Sequence, residues 1–270
     1  MTGNPEVLRI ALWQCESHPE AVEENLDRLA EALDRAATLS ADLLLTPEMM
    51  VPGYNIGADG ARRLADPVGD AAGPIARRVA AEARRTGVAV LYGCSEIDAD
   101  GLVYNVIRLV DRTGALLVAH RKTHLFGDLD RSMVTPGTIP PPVVDLDGWR
   151  LGVLICYEVE FAELVRALAV GGADVVCVPT ANMIEFDAVQ TILLPARALE
   201  SQVYLAYANF CGAEGDLDYG GLSEVIAPSG EILAVADREP ELLIVDLRRE
   251  LLDESRERNP YLTDRRPELY

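Results

Sequence analysis

The chain has 270 residues, 49% of them hydrophobic, and is long enough to bury one large core. Its net charge of -20 argues against a nucleic-acid partner, because a phosphate backbone would be repelled and no basic stripe is visible. No apolar run approaches the roughly 18 residues of a membrane span, and the N-terminus lacks the pattern of a secretory signal. We therefore expect a single domain over residues 1–270 that is cytoplasmic and has no membrane partner.

The first elements predict a strand, a helix and a second strand. Residues 9–15 form an apolar run typical of a buried strand, and apolar residues at helical spacing continue to about residue 39. Residues 17–20 (Ser-His-Pro-Glu) resemble a capping box before that helix. The apolar run 41–47 then ends in proline and is followed by Glu48. Glu48 therefore lies at the carboxyl end of a strand, where α/β folds gather their chemistry, unless it is a solvated loop residue.

Lys122 follows a group of predicted hairpin strands and is the only lysine among the 24 lysine and arginine residues. Because arginine serves at every other cationic position, we expect the ammonium to lie where a planar guanidinium would not fit, although chance could place one lysine anywhere. Residues 128–137 are polar and predict a loop that either lines a pocket or is solvated. The elements before Lys122 are a helix over about 70–86 and antiparallel strands over 88–97, 102–110 and 116–120.

Cys156 ends the apolar run of residues 149–155, which predicts a buried strand. A thiol at the carboxyl end of a central strand can face a cleft while the strand fixes its backbone, as a nucleophile requires. The alternative is a small hydrophobe in the core. The elements after it are a helix over 161–170, a strand over 173–179, an interrupted helix over 187–201 and strands near 203–209, 222–227, 231–236 and 242–246.

The sequence contains an internal echo. Residues 9–15 parallel residues 150–156, and residues 41–47 parallel residues 173–179. Each half reads as strand, helix and strand followed by hairpins. This pattern predicts two similar halves that pack sheet on sheet with their helices outside.

The cysteines and histidines do not form a metal-binding pattern. Five cysteines without a Cys-x-x-Cys pair indicate neither a disulfide framework nor a zinc site, and three scattered histidines are too few for a metal cage. We expect no metal and no cofactor. The cysteines other than Cys156 lie in strand-like runs and are interpreted as structural: Cys15, Cys94, Cys177 and Cys211.

Glu48, Lys122 and Cys156 each end an apolar run and begin a loop. Together they supply a base, a cation that stabilises an oxyanion, and a nucleophile, which are the groups that catalysis of acyl transfer requires. A nearby Lys122 is expected to lower the pKa of the thiol. The segments 46–48, 120–126 and 156–161 resemble the three signatures of the nitrilase (carbon-nitrogen hydrolase) superfamily, which has a Glu-Lys-Cys triad, and weaker resemblance continues to the tail at 265–270.

The resemblance implies an α/β fold, a four-layer αββα sandwich whose subunits form homodimers or larger homo-oligomers. Residues 250–270 contain few core-like residues and are expected at a subunit interface. The resemblance also implies that Cys156 attacks an amide carbon and that Glu48 carries the proton. Lys122 and the backbone N–H of Tyr157 would hold the oxyanion.

Two departures from the family pattern concern the substrate. Where many members have a second glutamate after the lysine, this chain has Asp130, or less favourably Asp128, and a plain surface aspartate is the alternative. Branches that act on carboxylate-bearing substrates often carry an arginine shortly after the cysteine, whereas this chain has Val159 and Glu160. An acidic neighbourhood would repel anionic substrates.

The sequence therefore predicts an amidase that acts on small neutral or amine-bearing amides and releases ammonia. A nitrilase that acts on nitriles and a non-catalytic member that binds amides are the alternatives. Tyr54 and Asn182 are predicted to bind substrate, because each follows the end of a predicted strand. Tyr157 is predicted to bind substrate through the backbone N–H that the resemblance assigns to the oxyanion.

Overall fold

The computed structural model describes residues 5–68 and 73–269. In the amino-terminal half, each apolar run becomes a strand and each amphipathic run becomes a helix, as the hydrophobic spacing predicts. The elements are β1 (Val7–Glu16), α1 (Val22–Thr38), β2 (Leu43–Leu45), α2 (Gly57–Arg63), β3 (Asp66–Pro67), α3 (Pro74–Thr86), β4 (Ala89–Ile97), β5 (Val103–Val110), β6 (Leu116–Arg121) and α4 (Gly127–Met133).

The carboxy-terminal half repeats the strand and helix alternation and adds short helical turns. A 3-10 helix spans Cys156–Glu160, and a π-helix at Val189–Leu193 runs directly into an α-helix. The other elements are β7 (Val143–Leu146), β8 (Trp149–Val153), α5 (Ala162–Val170), β9 (Val175–Pro179), α6 (Leu194–Ser201), β10 (Tyr204–Ala208), β11 (Phe210–Glu214), β12 (Leu217–Gly220), β13 (Glu224–Ile226), β14 (Ile232–Val235), β15 (Glu241–Arg248) and α7 (Arg249–Arg258).

The strands form a nine-stranded and a six-stranded sheet. The first has the order β12-β11-β1-β2-β4-β5-β6, with β15 paired to β1 and β3 paired to β4. The second has the order β14-β13-β10-β9-β8-β7. In the first sheet β1, β2 and β4 are parallel and β5 and β6 follow antiparallel; in the second β8, β9 and β10 are parallel and β13 and β14 follow antiparallel. The predicted internal symmetry is confirmed.

The same arginine and aspartate pair joins the first two parallel strands of each half. In the first half the Arg9 N–H donates to Asp42 Oδ2 at 2.9 Å, and the Asp42 N–H donates to the Arg9 carbonyl at 2.8 Å. In the second half the Arg150 N–H donates to Asp174 Oδ2 at 3.2 Å, and the Asp174 N–H returns to the Arg150 carbonyl at 2.8 Å. The internal repeat in the sequence thus corresponds to the same hydrogen-bonding arrangement in both halves.

Three apolar cores separate four layers. Leu29 and Val79, on α1 and α3, pack against the outer face of the nine-stranded sheet. A second core, which includes Leu12 and Trp149, lies between the two sheets. Leu168 on α5 and other side chains on α6 cover the outer face of the six-stranded sheet. The predicted αββα sandwich is confirmed, and it buries both faces of each sheet, as parallel strands require.

Three local predictions were wrong. Helix α1 begins after Ala21 without a side-chain cap, so residues 17–20 are not a capping box; instead the Asn25 amide donates to the His18 carbonyl at 2.7 Å. The polar segment after Lys122 contains helix α4. This helix has seven residues, which are too few for a helical spacing of apolar residues to be recognised. Strands β11 and β12 were not expected. Of the helix predicted over about 70–86, residues 70–72 lie outside the described part.

The carboxy-terminal tail packs on its own chain at its first helix. Leu252 on α7 is buried, and the Gln202 amide donates to the Ser255 carbonyl at 2.8 Å. The tail therefore contributes one core residue that its composition did not suggest. A subunit interface at residues 250–270 and the single-domain organisation stay predictions. Across the described residues, no helix combines the length and apolarity that crossing a membrane requires.

Candidate active site

Lys122 lies between two carboxylates in the interior of the protein. Its Nζ donates to Glu48 Oε1 and to Asp130 Oδ2, each at 2.7 Å. All three side chains are fully buried. Because an isolated buried charge is very unfavourable, this ammonium and these carboxylates require one another.

A close backbone approach positions Glu48. The loop after β2 crosses Gly93 on β4, where a Cβ atom would lie 2.3 Å from the Met49 nitrogen. The Glu48 N–H donates to the Thr180 carbonyl at 3.1 Å and so links the loop to the second sheet. The Asn105 amide donates to Glu48 Oε1 at 2.6 Å. Glu48 Oε2 is buried and has no hydrogen-bond partner among the described residues, so it can accept a proton.

Helix α4 and Tyr54 hold Asp130 against the ammonium. The Phe126 N–H, just before the helix, donates to Asp130 Oδ2 at 2.8 Å. The Tyr54 hydroxyl donates to Asp130 Oδ1 at 2.8 Å. Tyr54 is 1% exposed, so its polar atom faces the carboxylate network. Asp128 is exposed on the same helix, and Asp130 is therefore the aspartate that contacts Lys122.

Cys156 lies on a sharp turn between β8 and the 3-10 helix. Its φ of +46° is in the left-handed region, which costs a residue with a Cβ on the order of 1–3 kcal/mol. The residue is partly accessible, whereas the other described cysteines are buried. The turn thus places a partly accessible cysteine just after a central strand.

The electrostatics of the site favour a charged Lys122 and a neutral thiol. Burial alone would lower the pKa of Lys122, but Glu48 and Asp130 raise it above its ordinary value. Burial raises the pKa of Glu48, against the opposing effect of Lys122. Burial and Glu48 also raise the pKa of Cys156, and Lys122 lowers it by less. Lys122 therefore lowers the thiol pKa as expected, but burial and Glu48 outweigh this effect.

A cavity of about 550 Å³ lies beside this group. The Phe126 ring in its wall contacts the Tyr157 ring at a centroid distance of 5.5 Å, and the Phe126 N–H binds Asp130. The side chains of this wall are apolar near the base and acidic at the rim, and none of the described lining residues is basic. The lining residues are Asn55, Phe126, Leu129, Met183, Ile184, Glu185, Phe186, Asp216, Leu217 and Asp218.

Comparison with known proteins agrees with this fold. The family model for carbon-nitrogen hydrolases matches residues 9–257. The chain belongs to the carbon-nitrogen hydrolase family. A Pseudomonas protegens protein described as "Hydrolase in pqqF 5'region" is 48% identical over 265 residues, covering 98% of this chain and 91% of that protein. An (R)-stereoselective amidase from Pseudomonas sp. is 35% identical over 260 residues, covering 96% and 92%.

A solved structure of a relative resembles this chain and carries a covalently bound group. It is a mutant of the amidase from Nesterenkonia sp. AN1, and the acetamide moiety of fluoroacetamide is covalently added at its active-site cysteine. It matches this hydrolase with a TM-score of 0.84 and 37% sequence identity, over 97% of this chain and 95% of that chain.

The other predicted site residues have different surroundings. Tyr157 is partly buried, and its ring also packs edge-on against Phe161 at 5.0 Å. The Asn182 amide donates to Gln190 Oε1 at 2.9 Å, so it is engaged within the protein. Contacts of Tyr54, Tyr157 and Asn182 with substrate stay predictions.

Sequence reasoning missed two polar residues of this hydrolase. Asn105 was a detectable signal, because it is the one amide within β5, whose other residues are apolar or aromatic apart from Arg108. Glu158 is fully buried two residues after Cys156, and no local sequence pattern indicated this burial. Among the described residues, no group of three or more histidine, cysteine, aspartate or glutamate side chains could hold a metal ion.

Proposed function

We propose that this carbon-nitrogen hydrolase is an amidase, which converts small amides to carboxylic acids and ammonia through a cysteine thioester. The observation that carries the proposal is the buried Lys122 ammonium held by Glu48 and Asp130 at 2.7 Å, with Glu48 Oε2 left free. Glu48 and Lys122 lie close enough to Cys156 to act on its pKa. The amidase relatives described above support the same reaction.

In the first half-reaction, Cys156 Sγ attacks the amide carbon while its proton passes to Glu48 Oε2. The carbonyl oxygen becomes an oxyanion, which accepts hydrogen bonds from Lys122 and from the Tyr157 N–H. Lys122 has three N–H donors and gives two to Glu48 and Asp130, so the third remains for the oxyanion. The intermediate collapses, the carbon-nitrogen bond breaks, and the nitrogen takes the proton from Glu48 and leaves as ammonia.

In the second half-reaction, water attacks the thioester carbon and gives one proton to Glu48. The carbon-sulfur bond then breaks, the proton returns to the departing sulfur, and the carboxylic acid is released. Glu48 ends each turnover in the ionisation state in which it began. Its raised pKa suits this work, because a base with a pKa closer to the working pH both takes and returns a proton readily.

We further propose that the enzyme prefers neutral or amine-bearing amides. Glu160 is partly buried at the end of the 3-10 helix, and burial raises its pKa while Lys122 and Arg197 oppose this. That effect places Glu160 within electrostatic reach of the catalytic ammonium. With Glu185 and Asp218 at the cavity rim, a substrate carboxylate would meet like charges. The acetamide moiety held by the Nesterenkonia relative is likewise uncharged.

The test is ammonia release from three matched amides of similar length: one neutral, one with a free amine and one with a free carboxylate. We expect turnover of the first two by wild type and by Cys94→Ala, and none by Cys156→Ala. Cys94 is a matched control because it is buried in β4 and the charged groups that act on its thiol, Arg108, Asp66 and Glu96, are not triad residues. A preference for the carboxylate substrate would overturn the proposed specificity.

The same assay separates the alternative functions. Matching nitriles are included, because the same thiol can add to a nitrile carbon. Ammonia from nitriles alone would identify a nitrilase. Amide binding without turnover, unchanged in Cys156→Ala, would identify a non-catalytic member. Glu160→Gln should improve the relative kcat/KM for the carboxylate substrate, since it removes one opposing charge.

A further inference from the structure

The two halves of the active site belong to different sheets. Lys122 follows β6 at the edge of the nine-stranded sheet, whereas Cys156 follows β8 in the six-stranded sheet. No backbone ladder joins β6 to β8 in the described structure. The separation of the ammonium and the thiol must therefore be fixed by other contacts.

One buried carboxylate makes these contacts. Glu158 Oε1 accepts hydrogen bonds from the Thr123 N–H at 2.8 Å and the Thr123 hydroxyl at 2.5 Å. Glu158 Oε2 accepts from His120 Nε2 at 2.9 Å and from the Ile155 N–H at 2.8 Å. The donors thus flank Lys122 on both sides and immediately precede Cys156.

The bonding of Glu158 leaves it no role in proton transfer. A carboxylate has about four acceptor positions, and four donors occupy them here. Its side chain is fully buried. Burial would raise the pKa of Glu158, but the hydrogen bonds from His120 and Thr123 lower it below its ordinary value, so the group stays ionised. A saturated, permanently charged carboxylate can hold groups in place but cannot take a proton.

We propose that Glu158 is a positioning residue that sets the distance between the Lys122 ammonium and the Cys156 thiol across the two sheets. The proposal rests on the amidase function for its kinetic consequence. An error of about 1 Å in such a site is enough to lower turnover about 100-fold. Glu158 has no free acceptor position to offer a substrate, so the effect belongs to kcat and not to KM.

The experiment compares Glu158→Gln and Thr123→Val with wild type. A glutamine has the same shape, but its NH2 group would face a backbone N–H donor whichever way the amide is turned, that of Thr123 or that of Ile155. Thr123→Val removes one of the four hydrogen bonds and keeps the Thr123 backbone donor. Glu163→Gln is the matched control, because Glu163 is exposed in the first turn of α5.

The readouts are kcat and KM for an amide and the rate at which iodoacetamide alkylates Cys156 from pH 6 to pH 10. We expect kcat of Glu158→Gln to fall about 100-fold with KM little changed, and Thr123→Val to show a smaller loss of the same kind. The double variant should lose less than the product of the two single effects, because both act on one network. Glu163→Gln should match wild type.

The alkylation profile separates positioning from a purely electrostatic effect. Removing a nearby anion would favour the thiolate and make alkylation faster at a given pH. Displacing the Lys122 ammonium would disfavour the thiolate and make alkylation slower, which is the result that we expect. Faster alkylation, or wild-type kcat in folded Glu158→Gln, would overturn the proposal.

The profile does not require amide turnover. It therefore tests Glu158 even if the amidase proposal fails. If Glu158→Gln does not fold, Thr123→Val carries the test, and wild-type kcat and alkylation in that variant would overturn the proposal.

Discussion

The buried ammonium predicts an unusual pH dependence of stability when it is removed. In wild type, Lys122 Nζ lies 2.7 Å from Glu48 Oε1 and 2.7 Å from Asp130 Oδ2. Lys122→Met is nearly isosteric and leaves both carboxylates buried without this shared cation. Breaking a buried ion pair by removing one partner costs about 3–5 kcal/mol. We expect a loss of that size at neutral pH in the free energy of unfolding.

The sign of the pH dependence follows from proton binding. Without the ammonium, the carboxylate pair must take up a proton to remain buried. The folded variant then binds one proton more than the unfolded chain between the unfolded-state and the folded-state pKa of that carboxyl group. A folded-state pKa above the unfolded value gives stability that is present at low pH and is lost as pH rises. The free energy of unfolding of Lys122→Met should therefore fall by up to about 1.4 kcal/mol per pH unit relative to wild type.

The assay is urea denaturation of wild type, Lys122→Met and Lys122→Arg from pH 5 to pH 8 at one protein concentration. Lys122→Arg keeps the cation, so it should show little of the pH dependence while losing activity, because a guanidinium places its donors differently. A Lys122→Met variant as stable as wild type, or equally destabilised at every pH, would refute the view that this ammonium neutralises the buried carboxylates.

Three further predictions concern the supports of the site. Tyr54→Phe removes the hydroxyl that donates to Asp130 and should lower the free energy of unfolding by about 1–3 kcal/mol in urea denaturation; an unchanged value would contradict this hydrogen bond. Gly93→Ala should lower kcat because its Cβ would displace the loop that carries Glu48, whereas Gly87→Ala, with no atom within 4 Å, should keep kcat. The acid limb of kcat/KM should lie above pH 4.5, and Asn105→Ala should move it higher, because that amide lowers the pKa of Glu48; a downward shift would contradict the assignment.

The sequence predicted most of the architecture because the apolar periodicity is strong and is used twice. The paired Arg9–Asp42 and Arg150–Asp174 contacts show why the echo was readable: each half needs the same residues at the same strand starts. Helix α4 was missed because it is short and one of its buried residues is polar, so its apolar residues do not follow a helical spacing. Asp130 faces Lys122 and the Phe126 N–H, so a polar residue occupies the buried face of that helix.

The triad residues could be proposed from their setting, but their supports could not. Glu48 and Lys122 each follow a strand of the nine-stranded sheet and Cys156 follows a strand of the six-stranded sheet, and α/β folds gather their chemistry at the carboxyl ends of strands. Asn105 and Glu158 act through hydrogen bonds between segments that are far apart in the chain, such as the 57-residue separation of Asn105 and Glu48. No local pattern reports such a contact, and a buried glutamate beside the nucleophile has the same sequence appearance as an exposed one.

The charge balance of the site explains why the thiol is not held as a thiolate. One ammonium faces two carboxylates, Glu48 and Asp130, so its effect in lowering the pKa of Cys156 is only partial. Burial and Glu48 then raise the pKa of the thiol. In the proposed mechanism, a protonated resting thiol beside Glu48 requires proton transfer during the attack itself. The nucleophile would then be activated only when an acyl carbon is in place, and the Lys122 charge would act on the oxyanion that forms in the same step.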